Sequence, residues 1–429
     1  MNPRQRLASA TRFGWPGVSL AVFTAAWGGN EFTPLLVMYR EHSHMSTVVV
    51  DTLLFTYVLG IVPALLIGGP LSDRFGRRPL MLPSPVIAAI GSALLAAGPH
   101  SVALLAVGRV CSGIALGLAM AVGGSWIKEL SDRDGAGVTA GARRAALSLT
   151  AGFGLGAAVA ALLAQWGPWP NQFAYLVNIA LAAVALVLLL PTPETRTGAR
   201  QGRLVDDLKI PSVRKLRFWV LIAPTAPWVF GTCAVAYAVL PALLTPFTGG
   251  WEIVFAGICC LVGLTAGFFV QTLGRKVDRP GSPRALAISM VLVATGMVLA
   301  AVAVNVLTVP MALLAAAVLG CGYGMTLISG LLEVQRIAGP DDLAGLTAVF
   351  YGLTYLGFAS PAILAWVNGR FDIGYPAMLL FGAVIALIGL AVVLGGSRGP
   401  VAARLGIGRH HEEDVLGAQN PAERVGQSG

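Results

Sequence analysis

Gly69-Pro70-Leu71-Ser72-Asp73-Arg74-Phe75-Gly76-Arg77-Arg78-Pro79 is the stretch on which the reading of this chain turns. It places one acid and three arginines between two long apolar runs, in the pattern G-x-L-x-D-R-x-G-R-R. Gly69 and Gly76 admit close backbone approach and positive φ, so the stretch reads as a charged hinge where one hydrophobic helix ends and the next begins. Such a cluster needs an aqueous surface on the basic side of a membrane. The bland alternative is a positive loop that only fixes topology.

The chain beyond this hinge belongs in a bilayer. It has 429 residues, 56% hydrophobic and only 11% charged, whereas soluble domains carry about 25% charged residues. Mean hydropathy is +0.76, and apolar runs of about 20 residues recur along the sequence, the length a membrane helix needs. Alternating ten-residue strand patterns are absent, which excludes an outer-membrane barrel. The net charge of +9 comes from short loops between apolar runs and never gathers on one face, so it sets orientation and implies no nucleic-acid partner. Cys111, Cys233, Cys259, Cys260 and Cys321 all fall inside the runs without metal-ligand spacing and read as small packing residues.

Twelve spans are expected, at about 13–38, 49–69, 80–98, 101–126, 143–164, 173–191, 218–245, 252–273, 285–304, 309–332, 343–367 and 375–395. The first run is too long for a signal peptide and is interrupted by Glu31, so it is an uncleaved span. The domains follow: a cytoplasmic N-terminus over 1–12, a six-helix half over 13–191, a linker over 192–216, a second six-helix half over 217–395 and a disordered cytoplasmic tail over 396–429, where His410-His411 is solvated. Of the 29 Lys and Arg residues, all but Arg40, Arg109 and Arg370 fall in segments on one side. That side is the cytoplasm by the positive-inside rule, and both termini lie there. Pro224, Pro227 and Pro241 in span seven and Pro361 in span eleven are expected to interrupt their helices.

The hinge between spans two and three resembles that of the major facilitator superfamily of secondary transporters. A partial copy recurs 205 residues later, where Gly274, Asp278, Arg279 and Gly281 repeat the spacing of Gly69, Asp73, Arg74 and Gly76, with Ser282 and Pro283 in place of the two arginines. Paired halves of this kind are expected of parallel-repeat transporters. The resemblance, to the twelve-span drug/proton antiporter branch, runs from Phe13 to Gly395. It departs from the pattern in the fifth span, where Gly152-Phe153-Gly154-Leu155-Gly156 lacks the branch's Gly-Pro pair and keeps only a small-x-x-x-small contact.

Only one acid lies well inside a span. Glu31 must be protonated, paired or turned to water there, because a carboxylate in hydrocarbon costs several kcal/mol and burial favours the neutral form. It can then load and release a proton as water access changes; the bland alternative is a permanent structural hydrogen bond. Arg109 is the lone deep base, within Gly108-Arg109-Val110-Cys111-Ser112-Gly113. Counted along the helices, each lies about 10–12 Å from the outer ends of its span, so Arg109 is expected to tune Glu31. This passage resembles the fourth-span motif of proton-coupled facilitators, whose arginine is implicated in proton transfer. Static anchoring of Arg109 by backbone carbonyls is the alternative.

The resemblance also implies that spans one, four, seven and ten line a central cavity. That singles out Trp27, Asn30, Tyr237 and Tyr323, with Tyr57, Tyr351 and Tyr355 behind them, as substrate contacts. Each also reads as a packing aromatic or polar residue. An aromatic cavity with one acid suits lipophilic, often cationic, molecules. At the hinge, the resemblance implies that Asp73 faces the start of span eleven near Asp341–Gly345. Arg77 or Arg78 is expected to pair with Glu129 or Asp132 at the end of span four, and together these contacts hold the halves closed on the cytoplasmic side.

The function expected is secondary active transport in the cell's inner (plasma) membrane: proton-coupled efflux of small lipophilic molecules by alternating access, from a monomer whose partners are protons, a small-molecule substrate and the lipid bilayer. No cofactor or metal is expected. A proton-coupled metabolite or sugar importer is the alternative within the class, and a non-transporting sensor or assembly factor the alternative outside it. An enzyme is not expected, because all five histidines lie outside the spans and no nucleophile elbow or phosphate loop is present.

Overall fold

Among the described residues, ten helices in the computed structural model are long and apolar enough to cross a membrane: Thr47–Phe75, Arg77–Ala97, Val102–Arg133, Ala140–Trp166, Trp228–Phe247, Glu252–Val277, Arg284–Val306, Val309–Ile337, Leu343–Phe371 and Tyr375–Gly396. The structure describes residues 14–396 apart from 42, 44, 138, 197–208 and 340–341. The basic N-terminus, the middle of the linker and the His410-His411 tail lie outside the described residues. Two further helical passages bring the count to the twelve expected. The first is split into Gly14–Asn30 and Phe32–Glu41, and the sixth, Phe173–Leu189, has 17 residues. Among the described residues there is no strand, only an isolated bridge between Arg279 and Ser282 in the second hinge.

Local chemistry explains the interruptions. Pro34 has no N–H for the Asn30 carbonyl and its ring crowds that carbonyl, and the first span breaks there, at Glu31. The seventh span opens with a π-turn at Phe218–Ile222 and loses regular helix until Trp228, across Pro224 and Pro227 as expected. Pro361 follows a 3-10 turn at Leu356–Ala359 and starts a new helical stretch. Several helices outrun their hydropathy: span four continues to Arg133 and span ten to Ile337. The apolar run marks only the part in hydrocarbon, and the amphipathic turns beyond it reach the interface.

The first six spans pack on one another, with one against five, two and three against four, and six against one and three. In the second set, span ten packs against eight and nine, and nine against twelve. Gly152 and Gly156 make the contact of spans one and five close: a Cβ on Gly152 would lie 2.4 Å from the Phe23 carbonyl oxygen, and one on Gly156 2.8 Å from Trp27 backbone. The two sets meet through span five against eight and span two against eleven. Outward faces carry exposed Val187, Phe269, Phe381 and Ile388, an apolar belt suited to lipid.

Candidate functional site

The hinge is a ring of charge-assisted hydrogen bonds. Gly76 takes φ 98°, which a side chain would resist, and ends the second span. Gly69 does not share that role. It sits within the helix with nothing within 4 Å of a built Cβ, on the wall of a cavity. Arg77, buried at the turn, donates to Glu129 through Nη2 at 2.9 Å, to Asp73 through Nη1 at 3.0 Å and to Ser72 at 2.6 Å. Glu129, not Asp132, is therefore its span-four partner. Arg74 is half-buried on the same turn.

The start of the linker is bonded onto this ring. Glu194 accepts the backbone N–H groups of Arg77 and Arg78 at 2.9 Å each, Arg196 pairs with Asp73, Thr195 bonds Glu129, and Arg78 reaches the Leu190 carbonyl. Partial burial would raise the Glu194 carboxyl, but the N–H donors of Arg196, Arg78, Arg77 and Thr195 outweigh it and hold it below its usual value.

Two hinge expectations are corrected. Asp73 does not face span eleven; it turns to Arg77 and Arg196, and a cavity with Gly69 and Pro70 on one wall and Ala344 and Thr347 on the other separates the two elements. The Arg77–Glu129 pair joins spans within the first half, so it does not bridge the halves. Asp342 instead accepts from the Ser212 and Gly339 backbones and from the Ser212 hydroxyl. Burial would raise it, but these bonds together with Lys215 outweigh that and hold its carboxyl below the ordinary range.

The second hinge copies the chemistry with different residues. Asp278 pairs with Arg336, Arg336 with Glu333, and Glu333 with Arg217, while Arg279 is exposed. Span ten thus supplies the guanidinium that Ser282 and Pro283 withhold.

Between the halves lies a cavity of about 460 Å³ open on the hinge side, with Met120, Phe153, Tyr323 and Tyr351 among its walls. Its head narrows to about 20 Å³, lined by Asn30, Tyr57, Arg109, Phe153, Tyr237 and Tyr323 among others, room for a water or two. On the far side the halves are closed. Gln165 donates to the Gly250 carbonyl at 2.9 Å and accepts from the N–H groups of Ile253 and Val254 at 3.1 and 3.3 Å, beside the edge-to-face pair Trp166–Trp251. Arg40 pairs with Asp51 nearby in the first half.

Of the expected contacts, Asn30, Tyr57, Tyr237 and Tyr323 line the narrow head and Tyr351 the wide cavity. Trp27 and Tyr355 line neither. Trp27 packs on Phe23 and span five, and Tyr355 stacks on Phe230 at 4.4 Å with its hydroxyl on Met120. Asn30 donates to the Phe153 carbonyl at 2.9 Å and to Cys260 at 3.3 Å.

Glu31 is fully buried and lies outside both cavity walls. Its Oε1 accepts from Ser92 Oγ at 3.1 Å and Asn178 Nδ2 at 3.4 Å, while Oε2 has no partner. Arg109, equally buried, donates to the Gly29 carbonyl at 3.2 Å and lies over the rings of Phe32 and Tyr57 at 4.7 and 4.6 Å. Arg109 is thus held by a span-one carbonyl, as the static alternative has it, and no ion pair joins it to Glu31 among the described contacts. Ser92 and Asn178 escaped sequence reading, although an Asn inside the apolar run Phe173–Leu189 was the signal available.

A two-set helical bundle with a central cavity open on one side is the architecture of a membrane transporter. The family model for the major facilitator superfamily matches residues 18–361, and the chain belongs to that family. A chloramphenicol resistance protein of Pseudomonas aeruginosa is 25% identical over 282 residues, 65% of this chain and 65% of its own length. A bacillibactin exporter of Bacillus subtilis (strain 168) is 30% identical over 143 residues, 32% of this chain and 36% of its own length. The chain thus spans less than two thirds of the length of either relative. A nucleoside transporter superposes with TM-score 0.71 at 13% identity over 90% of this chain and all of its own, and a D-xylose-proton symporter with 0.64 at 16% over 87% and 96%. At such identities the likeness is one of fold.

Proposed function

We propose that this transporter exports small lipophilic molecules in exchange for protons, rocking its halves about the central pocket. The observation that carries the reading is Glu31: a fully buried carboxyl with one unpartnered oxygen and no cation paired to it, next in the chain to Asn30 on the narrow head of a solute-sized cavity. A carboxyl so placed binds a proton when water reaches it from one side and yields it when access switches. Arg109, at the same depth, biases that exchange. In this reading the hinge side is cytoplasmic, both termini lie there, and the protein works as a monomer in the cell membrane. The hinge networks Asp73–Arg77–Glu129 and Asp278–Arg336–Glu333 stiffen each half so that it moves as one body. Relatives named for drug resistance and for export support efflux over import.

The test is chloramphenicol movement in inside-out membrane vesicles with an acidic lumen. Wild type accumulates the drug only while the pH gradient stands, and Glu31→Gln does not. Accumulation confined to right-side-out vesicles would turn the reading into an importer. Uptake indifferent to both the gradient and Glu31 would remove proton coupling.

A further inference from the structure

Arg109 is fully buried at the head of the cavity, yet only Nη1 has a hydrogen-bond partner; Nε and Nη2 have none. Phe32 and Tyr57 hold the face of the guanidinium, which leaves the N–H edge for something else. No carboxylate fills that role, because Glu31 makes no ion pair with it and is hydrogen-bonded to Ser92 and Asn178. A buried cation with unmet donors on the wall of a pocket is a site waiting for an acceptor.

The wider cavity agrees in sign. Phe153 and Tyr323 line both spaces, so the narrow head continues the wide cavity. Among the described residues, the one charged residue on the wide walls is Arg275, at the hinge-side mouth, and neither space is lined by Asp or Glu. Two cations and no anion along a low-dielectric corridor attract negative charge and repel positive charge.

We infer that the substrate is an amphipathic anion: its apolar body lies among Met120, Phe153, Tyr323 and Tyr351, and its oxyanion, a carboxylate or a phenolate, sits on the free N–H edge of Arg109. The guanidinium fork matches a planar oxyanion in two parallel bonds. Lipophilic cations, which an acid in the cavity would have favoured, are rejected, since that acid is outside the walls. The inference rests on the transporter reading of the cavity and narrows its substrate by charge.

The experiment is equilibrium binding to purified full-length protein in nanodiscs, without a gradient, using one naphthalene scaffold carrying a carboxylate, its methyl ester or a methylammonium group. The carboxylate is expected to bind at least about tenfold more tightly than the ammonium, and Arg109→Gln to abolish that advantage while ester binding stays within about twofold. Retained ester binding also reports that the variant is folded. Should Arg109→Gln not fold, Arg109→Lys decides: it keeps the charge and loses the fork, and carboxylate binding falls several-fold. Ammonium binding equal to or tighter than carboxylate in wild type, or carboxylate binding unchanged in the Arg109 variants, overturns the proposal. Because no proton gradient is used, failure here leaves the coupling role of Glu31 standing, and failure of Glu31→Gln to uncouple transport leaves the charge preference standing.

Discussion

Glu31 and Arg109 are both sealed from solvent in the core of the first half, yet no ion pair joins them; the acid is hydrogen-bonded to spans three and six and the base to span one. A carboxyl bound only by neutral donors can be replaced by its amide without breaking a pair. Glu31→Gln is therefore expected to melt within about 1 °C of wild type, the shift that about 1 kcal/mol gives in a chain of this size, while gradient-driven transport is lost. A thermal melt in the same detergent separates the two effects. A fall of 10 °C or more would make Glu31 a structural residue.

Asn178 donates to both Glu31 and Ser92, at 3.4 and 2.9 Å. Asn178→Ala removes the donor that links the trio and leaves its partners buried, which costs about 1–3 kcal/mol. Transport should drop with it, and Asn178→Asp, which sets a second acid beside Glu31, should be worse on both counts. Urea or thermal unfolding in micelles together with vesicle uptake checks this; an inert Asn178→Ala would detach the trio from function.

At the hinge, Arg77 serves three partners from a buried position. Removing one partner of a buried pair costs 3–5 kcal/mol, but Glu129 is about one third exposed and partly rehydrates, so Arg77→Ala is expected to destabilise by roughly 2–3 kcal/mol. Asp73→Ala loses only the bonds of a half-buried acid to Arg77 and Arg196, and Arg77 keeps Glu129 and Ser72, so it should cost less than half as much. If the two variants melt alike, the network is centred on Asp73 instead.

Much of this was legible beforehand, for identifiable reasons. Apolar runs mark membrane helices because no water inside the bilayer can satisfy the backbone, so the spans could be read from them, whereas the break of the first span before Pro34 was not among the interruptions expected. At the hinge the pairing of Arg77 with an acid of span four could be read, because charges there have nowhere else to go, but the partners of Asp73 and the confinement of the Arg77–Glu129 pair to the first half could not. Arg336, Glu333 and Gln165 could not, since their roles depend on how helices far apart in sequence are rotated toward each other. Nor could the position of Glu31 outside the cavity: a linear sequence gives depth along a helix, not which face the side chain leaves from.

Glu194 links the hinge to acid stability. Its folded carboxyl lies below the ordinary value of 4.5, held there by four N–H donors. A depressed acid contributes stability that is present above the unfolded value and lost as pH falls through the folded value. The melting temperature of wild type should therefore decline as pH drops below about 4.5, and Glu194→Gln should flatten that limb while lowering stability at pH 7. Parallel acid limbs in the two proteins would assign the decline to other carboxyls, Asp342 first among them.

Gln165 is the polar tie between the halves on the closed side, capping span eight through Ile253 and Val254 while gripping Gly250. First-turn N–H groups of a helix have no partners of their own, so a side chain from the other half that satisfies them stabilises closure there and nowhere else. Gln165→Leu keeps the volume and removes those bonds, worth about 1–2 kcal/mol, which corresponds to roughly a five- to thirtyfold change in the ratio of closed to open forms. Spin labels in the loops 167–172 and 372–374 should then show a longer-distance population absent from wild type. Unchanged distances would mean that the Trp166–Trp251 contact and the packing of span two on span eleven suffice to keep this side shut.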